Sequence, residues 1–430
     1  MFKVLKNSWA LFTGIGIVMI AHGLQGNLMG VRAVIENFNV VTTGIFMSGY
    51  YVGYFLGSYS APKLVAKVGH IRVFAAFASM ASLSVLIVAV FVNPVVWTFA
   101  RFITGLSLVS CYIVAESWLN DRATNRTRGK ILSAYMITLF TGLGIGMLLL
   151  NFDSPKNYEP FILVSLLLSI SLIPILLTKR PAPKFKKIGT IKIKQLYNIS
   201  PLGVVSSFCT GVIHSVLFSL AAVYAAIIKF TVFEISLLLF LVTLSGVFTQ
   251  GPIGYLSDKF DRRLVIVLTA LGGGFFSILA IIVSGESLQV MYLANNWGLN
   301  KTLFFLAVAL YSSLALPLFS LNLAHTNDFV PKEKFVAAGG GLQLVFGIGA
   351  IGGPIFCTIF MNLIGINGFF LFLFIFHLII GAFGIYRMTK RQTEDNPDST
   401  YTTLPRTITP LGLELDPSTG ADLSTEKKDR

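Results

Sequence analysis

The sequence predicts an all-α membrane protein whose twelve transmembrane helices form two pseudo-symmetric six-helix bundles. Three observations carry that expectation. Of 430 residues, 54% are hydrophobic and only 12% charged, more apolar surface than a soluble chain of this size can hide. The apolar residues fall into runs of about 20, the length a spanning helix needs. Finally, a charged hinge, Gly254-Tyr-Leu-Ser-Asp258-Lys259-Phe-Asp-Arg262-Arg263, recurs in part 192 residues earlier as Pro62, Ala66, Lys67, Gly69 and Arg72. The chain therefore reads as two halves, each with a hinge after its second helix, and Gly254 is expected to let the chain turn closely there.

Taken in order, the run from Trp9 to Gly30 is too long for a signal peptide and lacks a small-residue cleavage site, so it is the first span. Further spans are expected at about 41–61, 71–91, 94–119, 130–151 and 158–178, closing an N-terminal bundle over 1–178. A basic cytoplasmic linker follows at 179–200. There Lys184, Lys186, Lys187, Lys192 and Lys194 alternate loosely with apolar residues. A solvated connector and a segment lying on the anionic inner leaflet both fit it. Six more spans, at about 201–228, 232–256, 264–284, 302–324, 336–361 and 365–388, make the C-terminal bundle over 201–388. The tail, 389–430, is rich in Thr, Pro and Asp without an apolar period, and is expected to be disordered.

Charge sets the orientation. With the N-terminus inside, the cytoplasmic loops hold nineteen Lys or Arg, and the outer loops hold Arg32, Lys156, Lys229 and Lys301. Both termini are therefore expected in the cytoplasm, with the chain in the inner membrane. The net charge of +14 sits in these loops, which argues for a lipid bilayer as partner and against nucleic acid. Cys111, Cys209 and Cys357 fall within apolar runs and read as small hydrophobes, neither disulfides nor metal ligands. No nucleotide loop stands out; Gly339-Gly340-Gly341 lacks a following lysine pattern.

The hinge Gly254, Asp258, Lys259, Arg262, Arg263, with Asp261 at the second glycine position, resembles that of the major facilitator superfamily. The first-half copy keeps Lys67 and Gly69 but has Pro62 and Ala66 in place of the glycine and aspartate. Arg101-Phe-Ile-Thr-Gly105 is similar to the family's fourth-helix element, and Arg126-Thr-Arg128-Gly129-Lys130 to its basic entry to helix 5. With Val114-Ala-Glu116-Ser and Ala134-Tyr135-Met136, the set looks most like the YcaD-like branch. The resemblance implies a secondary transporter, not an enzyme, that rocks two bundles around a central site. It does not imply which substrate; a small solute, proton symport, no cofactor and a monomer are the expectations adopted with it. It places Asp258 against the start of helix 5 when the cytoplasmic side is closed. Two rivals are weighed: a sensor or assembly factor that no longer transports, and a lipid flippase.

Ionisable groups inside spans are costly and mark candidate sites. Arg101 and Glu116 share the fourth span, 15 residues or roughly 22 Å apart, too far to pair. Arg101 is a coupling residue by the resemblance, or an anchor on backbone carbonyls. Glu116 is a proton carrier, or an interfacial carboxylate satisfied by Arg122, Arg126 or Arg128. His22 and His214 share the 192-residue offset of the hinges, and the resemblance puts both on cavity-lining helices. Gln25 and Asn322 add neutral polar groups. Gly142, Gly144 and Gly146, like Gly347, Gly349 and Gly352, read as small faces for helix packing.

Overall fold

The computed structural model describes residues 8–124, 126–177, 191–284, 298–390, 399–405 and 407–419; the Lys-rich start of the linker and both ends of the tail lie outside them. Among the described residues every regular element is helical. The first half comprises α1 (Trp9–Ile35), α2 (Val40–Val68), α3 (His70–Val90), α4 (Pro94–Arg122), α5 (Arg128–Leu148) and α6 (Glu159–Leu176). The second comprises α7 (Pro201–Ile227), α8 (Val232–Lys259), α9 (Arg262–Ser284), α10 (Leu299–Asn327), α11 (Phe335–Ile364) and α12 (Gly368–Met388).

Local chemistry fixes where these helices begin. Asn39 and Asn93 cap α2 and α4 by accepting from Val41 N–H at 2.8 Å and Val95 N–H at 2.9 Å. Pro94 and Pro201 occupy first-turn positions, where a missing N–H costs nothing. Thr231 and Glu234 form a capping box on α8. Gly69, at φ +91°, makes the sharp turn from α2 into α3, a conformation that suits glycine.

Among the described residues eleven helices are long and apolar enough to cross a membrane. The exception is α2, equally long at 29 residues but interrupted by Ser48, Tyr50, Tyr51, Tyr54, Ser58, Tyr59 and Ser60. Its polarity has a structural reason: α2 packs between α4 and α11, with Tyr50, Tyr51 and Tyr54 turned to the space between the halves.

The halves are built alike. Gly142 and Gly146 of α5 meet the backbone of α1 at Gly16 and Ile20. Gly349 of α11 meets that of α7 at Phe208, and a side chain at any of the three would collide there. The same two helices reach across to the other half: Phe240 of α8 lies over Gly144, and Phe55 of α2 over Gly347. Gly44 of α2 against Thr358 and Pro354 of α11, Gly30 of α1 against Val223 of α7, and Asn151 Nδ2 donating to Ser236 Oγ at 2.6 Å join the halves away from the basic loops.

The opposite, basic face departs from expectation in three places. The hinge glycine Gly254 is not at a turn: α8 continues through it to Lys259, and the ring of Tyr401 lies against it. Arg262 is buried, bonded to Asp328, to the Ala324 carbonyl at 3.0 Å, to Asp258 at 2.7 Å and to Ser399 Oγ at 2.9 Å. Burial pushes the Asp328 carboxyl up to about 6, with Arg262 pulling the other way. The third departure is the tail. Residues expected to be disordered instead fold back between the halves: Ile408, Thr409 and Leu415 are fully buried, and two short 3₁₀ turns span Gly412–Leu415 and Pro417–Thr419. The linker's last turns likewise pack onto protein, Leu196 being buried beside Gly341 of α11.

Candidate functional site

A stripe of glycines brings the first half's polar groups together. Gly49, Gly53 and Gly57 recur every fourth residue, so they share one face of α2. Gly53 sits on the Phe102 carbonyl of α4, and Gly105 of α4 sits on the Tyr50 carbonyl of α2. That mutual approach slides the Tyr50 ring beneath Arg101, 4.8 Å from the guanidinium carbon. Arg101 is 5% exposed, and its Nε has no hydrogen-bond partner. Among the described residues no carboxylate pairs with it. The charge is held by an aromatic face, worth about 2 kcal/mol when desolvated.

Tyr50 also forms part of the wall of a small, partly open space between the halves. Its walls are Tyr50, Tyr51, Tyr54 and Phe55 of α2, His214 and Ser215 of α7, and Gln343 and Phe346 of α11. Thr407 and Pro410 of the tail form its floor. His22 and His214 each lie thirteen residues before the end of their helix, at Ile35 and Ile227, hence at matching depth. Their settings differ. His214 is on the cavity wall with Nε2–H donating to the Ala315 carbonyl at 3.0 Å. His22 lies in an aromatic cluster, 5.5 Å from the Tyr50 ring and 3.5 Å from the Tyr112 hydroxyl.

Glu116 is fully buried at the basic end of α4, and its partners are not the arginines weighed for it. Tyr135 O–H donates to Oε1 at 3.2 Å, Thr409 N–H to Oε2 at 3.1 Å, and the Thr409 hydroxyl also reaches Oε2. Three donors converge on a group that, when ionised, only accepts. Arg122 instead donates to Ser8 Oγ at 3.0 Å.

Other predicted residues sit elsewhere. Gln25 donates to Thr104 Oγ1 at 3.1 Å, and Ser84 shares that hydroxyl at 2.9 Å, within the first half. Asn322 donates to Thr210 Oγ1 at 3.2 Å between α10 and α7, and is fully buried. Of the hinge residues, Lys67 is exposed in the last turn of α2, Lys259 lies 4.5 Å over the Tyr255 ring, and Arg263 pairs with Asp261 at 2.7 Å. The structure thus brings Arg101 and His22 against Tyr50, sets His214 on the wall of the space that Tyr50 also lines, leaves Glu116 toward the basic end of α4, and holds Gln25 and Asn322 in hydrogen bonds within their own halves. Sequence reasoning gives no site role to Tyr50, Tyr54, Tyr135 or Thr409. The tyrosines interleaved with Gly49, Gly53 and Gly57 are the available signal.

The family model of the Major Facilitator Superfamily matches residues 11–294 and 203–417. The chain belongs to the major facilitator superfamily. Within it, the chain is 23% identical over 354 residues to the uncharacterized MFS-type transporter YcaD of Escherichia fergusonii, covering 82% of this chain and 88% of that protein. The similarity to YcaD-like proteins thus extends along most of the chain. Among solved structures, a point mutant of the nucleoside transporter NupG superposes with a TM-score of 0.75 at 12% identity, over 88% of this chain and 99% of NupG. A bacterial homolog of the human lysosomal transporter Spinster, inward-facing and unoccupied, gives 0.71 at 13% identity, over 90% and 99%. At such identities the two structures speak to the fold alone. Membership makes this superfamily protein a transporter, not an enzyme.

Proposed function

We propose that this protein is a proton-coupled secondary transporter of the inner membrane, moving a small solute by alternating access, with the basic face in the cytoplasm. The observation that carries the reading is a pair of buried ionisable groups on one helix, neither paired with a counter-ion among the described residues: Arg101 stacked on Tyr50, and Glu116 bonded to Tyr135 and Thr409. Buried charges of this kind are expensive and mark solute or proton paths. With the halves joined on the far face, the arrangement corresponds to an inward-facing state. The sensor reading is less favoured, because a chain that no longer transports has no reason to keep both charges.

Tyr50, Tyr54, His214 and Gln343 are the proposed solute contacts. The positive charge behind Tyr50 favours a solute with an anionic or acceptor-rich group beside an apolar body. Small organic acids are expected to raise the melting temperature of the purified protein in a screen across solute classes at two pH values. Arg101→Gln is expected to weaken the apparent affinity at least about tenfold, in line with the ~1.5–3 kcal/mol of a hydrogen bond to a charged group. Equal stabilisation of the variant removes Arg101 from recognition. A second reading has one observation in its favour. An apolar groove between α5 and α8, lined by Phe140, Gly144, Phe240, Leu244 and Val247, includes exposed Ile137 and Ile145, so lipids belong in the same screen.

A further inference from the structure

The tail is bonded to both halves at once. We propose that residues 399–405 and 407–419 are an autoinhibitory plug: a peptide ligand carried by the chain itself, seated in a site built on Glu116, which holds the basic face open and blocks the path until it leaves. The inference rests on the alternating-access reading above.

The contacts span the gap. On the first half, Tyr54 O–H donates to the Thr407 carbonyl at 2.7 Å, Asn120 Nδ2 to the Leu411 carbonyl, and Thr409 to Glu116. On the second half, Arg262 donates to Ser399 Oγ at 2.9 Å, Tyr401 N–H to Asp258 at 3.0 Å, and Leu404 N–H to Ser320 Oγ at 3.2 Å. A segment belonging to one half would ride with it as the bundles rock. This one is anchored to both.

The seat is also sterically shaped. Tyr401 covers Gly254, a Cβ at Gly339 would stand 2.6 Å from Leu413 Cδ1, and one at Gly129 would stand 3.0 Å from Pro417 Cγ. Within the segment, a Cβ at Gly412 would lie 2.6 Å from Glu116 Cδ. The segment braces itself, Thr402 O–H donating to Asp416 at 2.7 Å. It floors both spaces between the halves: Thr407 and Pro410 under the central cavity, Thr403 under the α5–α8 groove.

Closing the basic face would mean compressing a close-packed core around Ile408 and Leu415, which interiors resist. The hinge aspartate is engaged as well. Asp258, which the family resemblance sets against helix 5 in the closed state, here accepts from Tyr401 and Arg262. Docking also covers the oxygens of Glu116 that a coupling proton has to reach, with Thr409 N–H and O–H both on Oε2. A tethered segment works at an effective concentration near mM, so an intrinsic Kd of ~100 μM leaves it mostly docked and still displaceable.

The test uses full-length protein in liposomes with a reporter cysteine at Ser58, on the cavity wall; the three natural cysteines are buried. Thr409→Asp sets a second carboxylate against Glu116, and Gly412→Val adds carbons where a Cβ is already too close. Both are expected to raise labelling by a water-soluble maleimide from the basic face at least tenfold. Thr409→Ser keeps the hydroxyl and should keep the slow rate, and synthetic peptide 399–419 should restore slow labelling in the released variants. Equal rates in all variants, or a peptide without effect on the released ones, overturn the plug. Faster labelling with a single, unchanged distance between spin labels across the basic face would instead leave the segment as an occluder and refute the alternating-access reading.

Discussion

Replacing Glu116 with Gln is expected to abolish solute accumulation driven by a pH gradient while leaving solute exchange across the membrane in place. Among the described residues Glu116 is the only acidic side chain in the interior of a first-half helix, so no neighbour takes over its proton. The amide has nearly the same shape but cannot titrate at working pH. It also turns one acceptor oxygen into a donor facing Tyr135 O–H and Thr409 N–H. Donor against donor weakens the tail's seat as well, so exchange is expected to be unimpaired or faster. The assay is uptake into proteoliposomes with and without an imposed pH gradient, using a solute from the screen. Undiminished pH-driven accumulation in the variant takes Glu116 out of the mechanism.

Gly105→Ala is expected to be among the most damaging single-methyl changes in the chain. The new carbon would fall on the Tyr50 carbonyl oxygen, a backbone atom that no rotamer change moves aside. Both helices must separate along the Gly49–Gly53–Gly57 stripe, at a cost of about 3 kcal/mol for overpacking a close contact. The same separation draws Tyr50 off Arg101, so solute recognition should fall too. Gly26→Ala is the control, because nothing lies within 4 Å of its Cβ position. Alanine there is expected to be neutral or stabilising by about 0.5–1 kcal/mol, as in any helix interior. Thermal unfolding of both variants in one detergent checks this. Matching melting temperatures would show that the α2–α4 contact is looser than described.

Most of the helices are legible in the sequence because lipid forces each span to satisfy its own backbone, so an apolar run of the right length marks it, α2 being the exception. The 192-residue offset likewise carries through to the helix ends, Ile35 and Ile227 each lying thirteen residues beyond its histidine, since it is a property of helix register. What the offset does not carry is the side-chain setting, and His22 lies among tyrosines while His214 bonds the Ala315 carbonyl. Sequence offers Glu116 only its near neighbours Arg122, Arg126 and Arg128, yet its partner Thr409 comes from 293 residues away. The order of the tail is hidden for a related reason. Leu404, Ile408, Leu411 and Leu415 do recur at helical spacing, but Pro405, Pro410 and Gly412 among them break any regular element, and the apolar side chains fill a cavity whose shape other helices set.

The central claim is that the two halves rock about the space between them, and pulsed spin-label distances test it most directly. One pair would join α5 to α11 across the basic face, and a second would join α2 to α11 near Gly44 and Thr358 on the far face. In a plug-released variant such as Thr409→Asp, the account predicts two distance populations for each pair. Conditions that shorten the distance across the basic face should lengthen the one across the far face. A single population on both faces, unchanged by solute, pH or release of the tail, would contradict it.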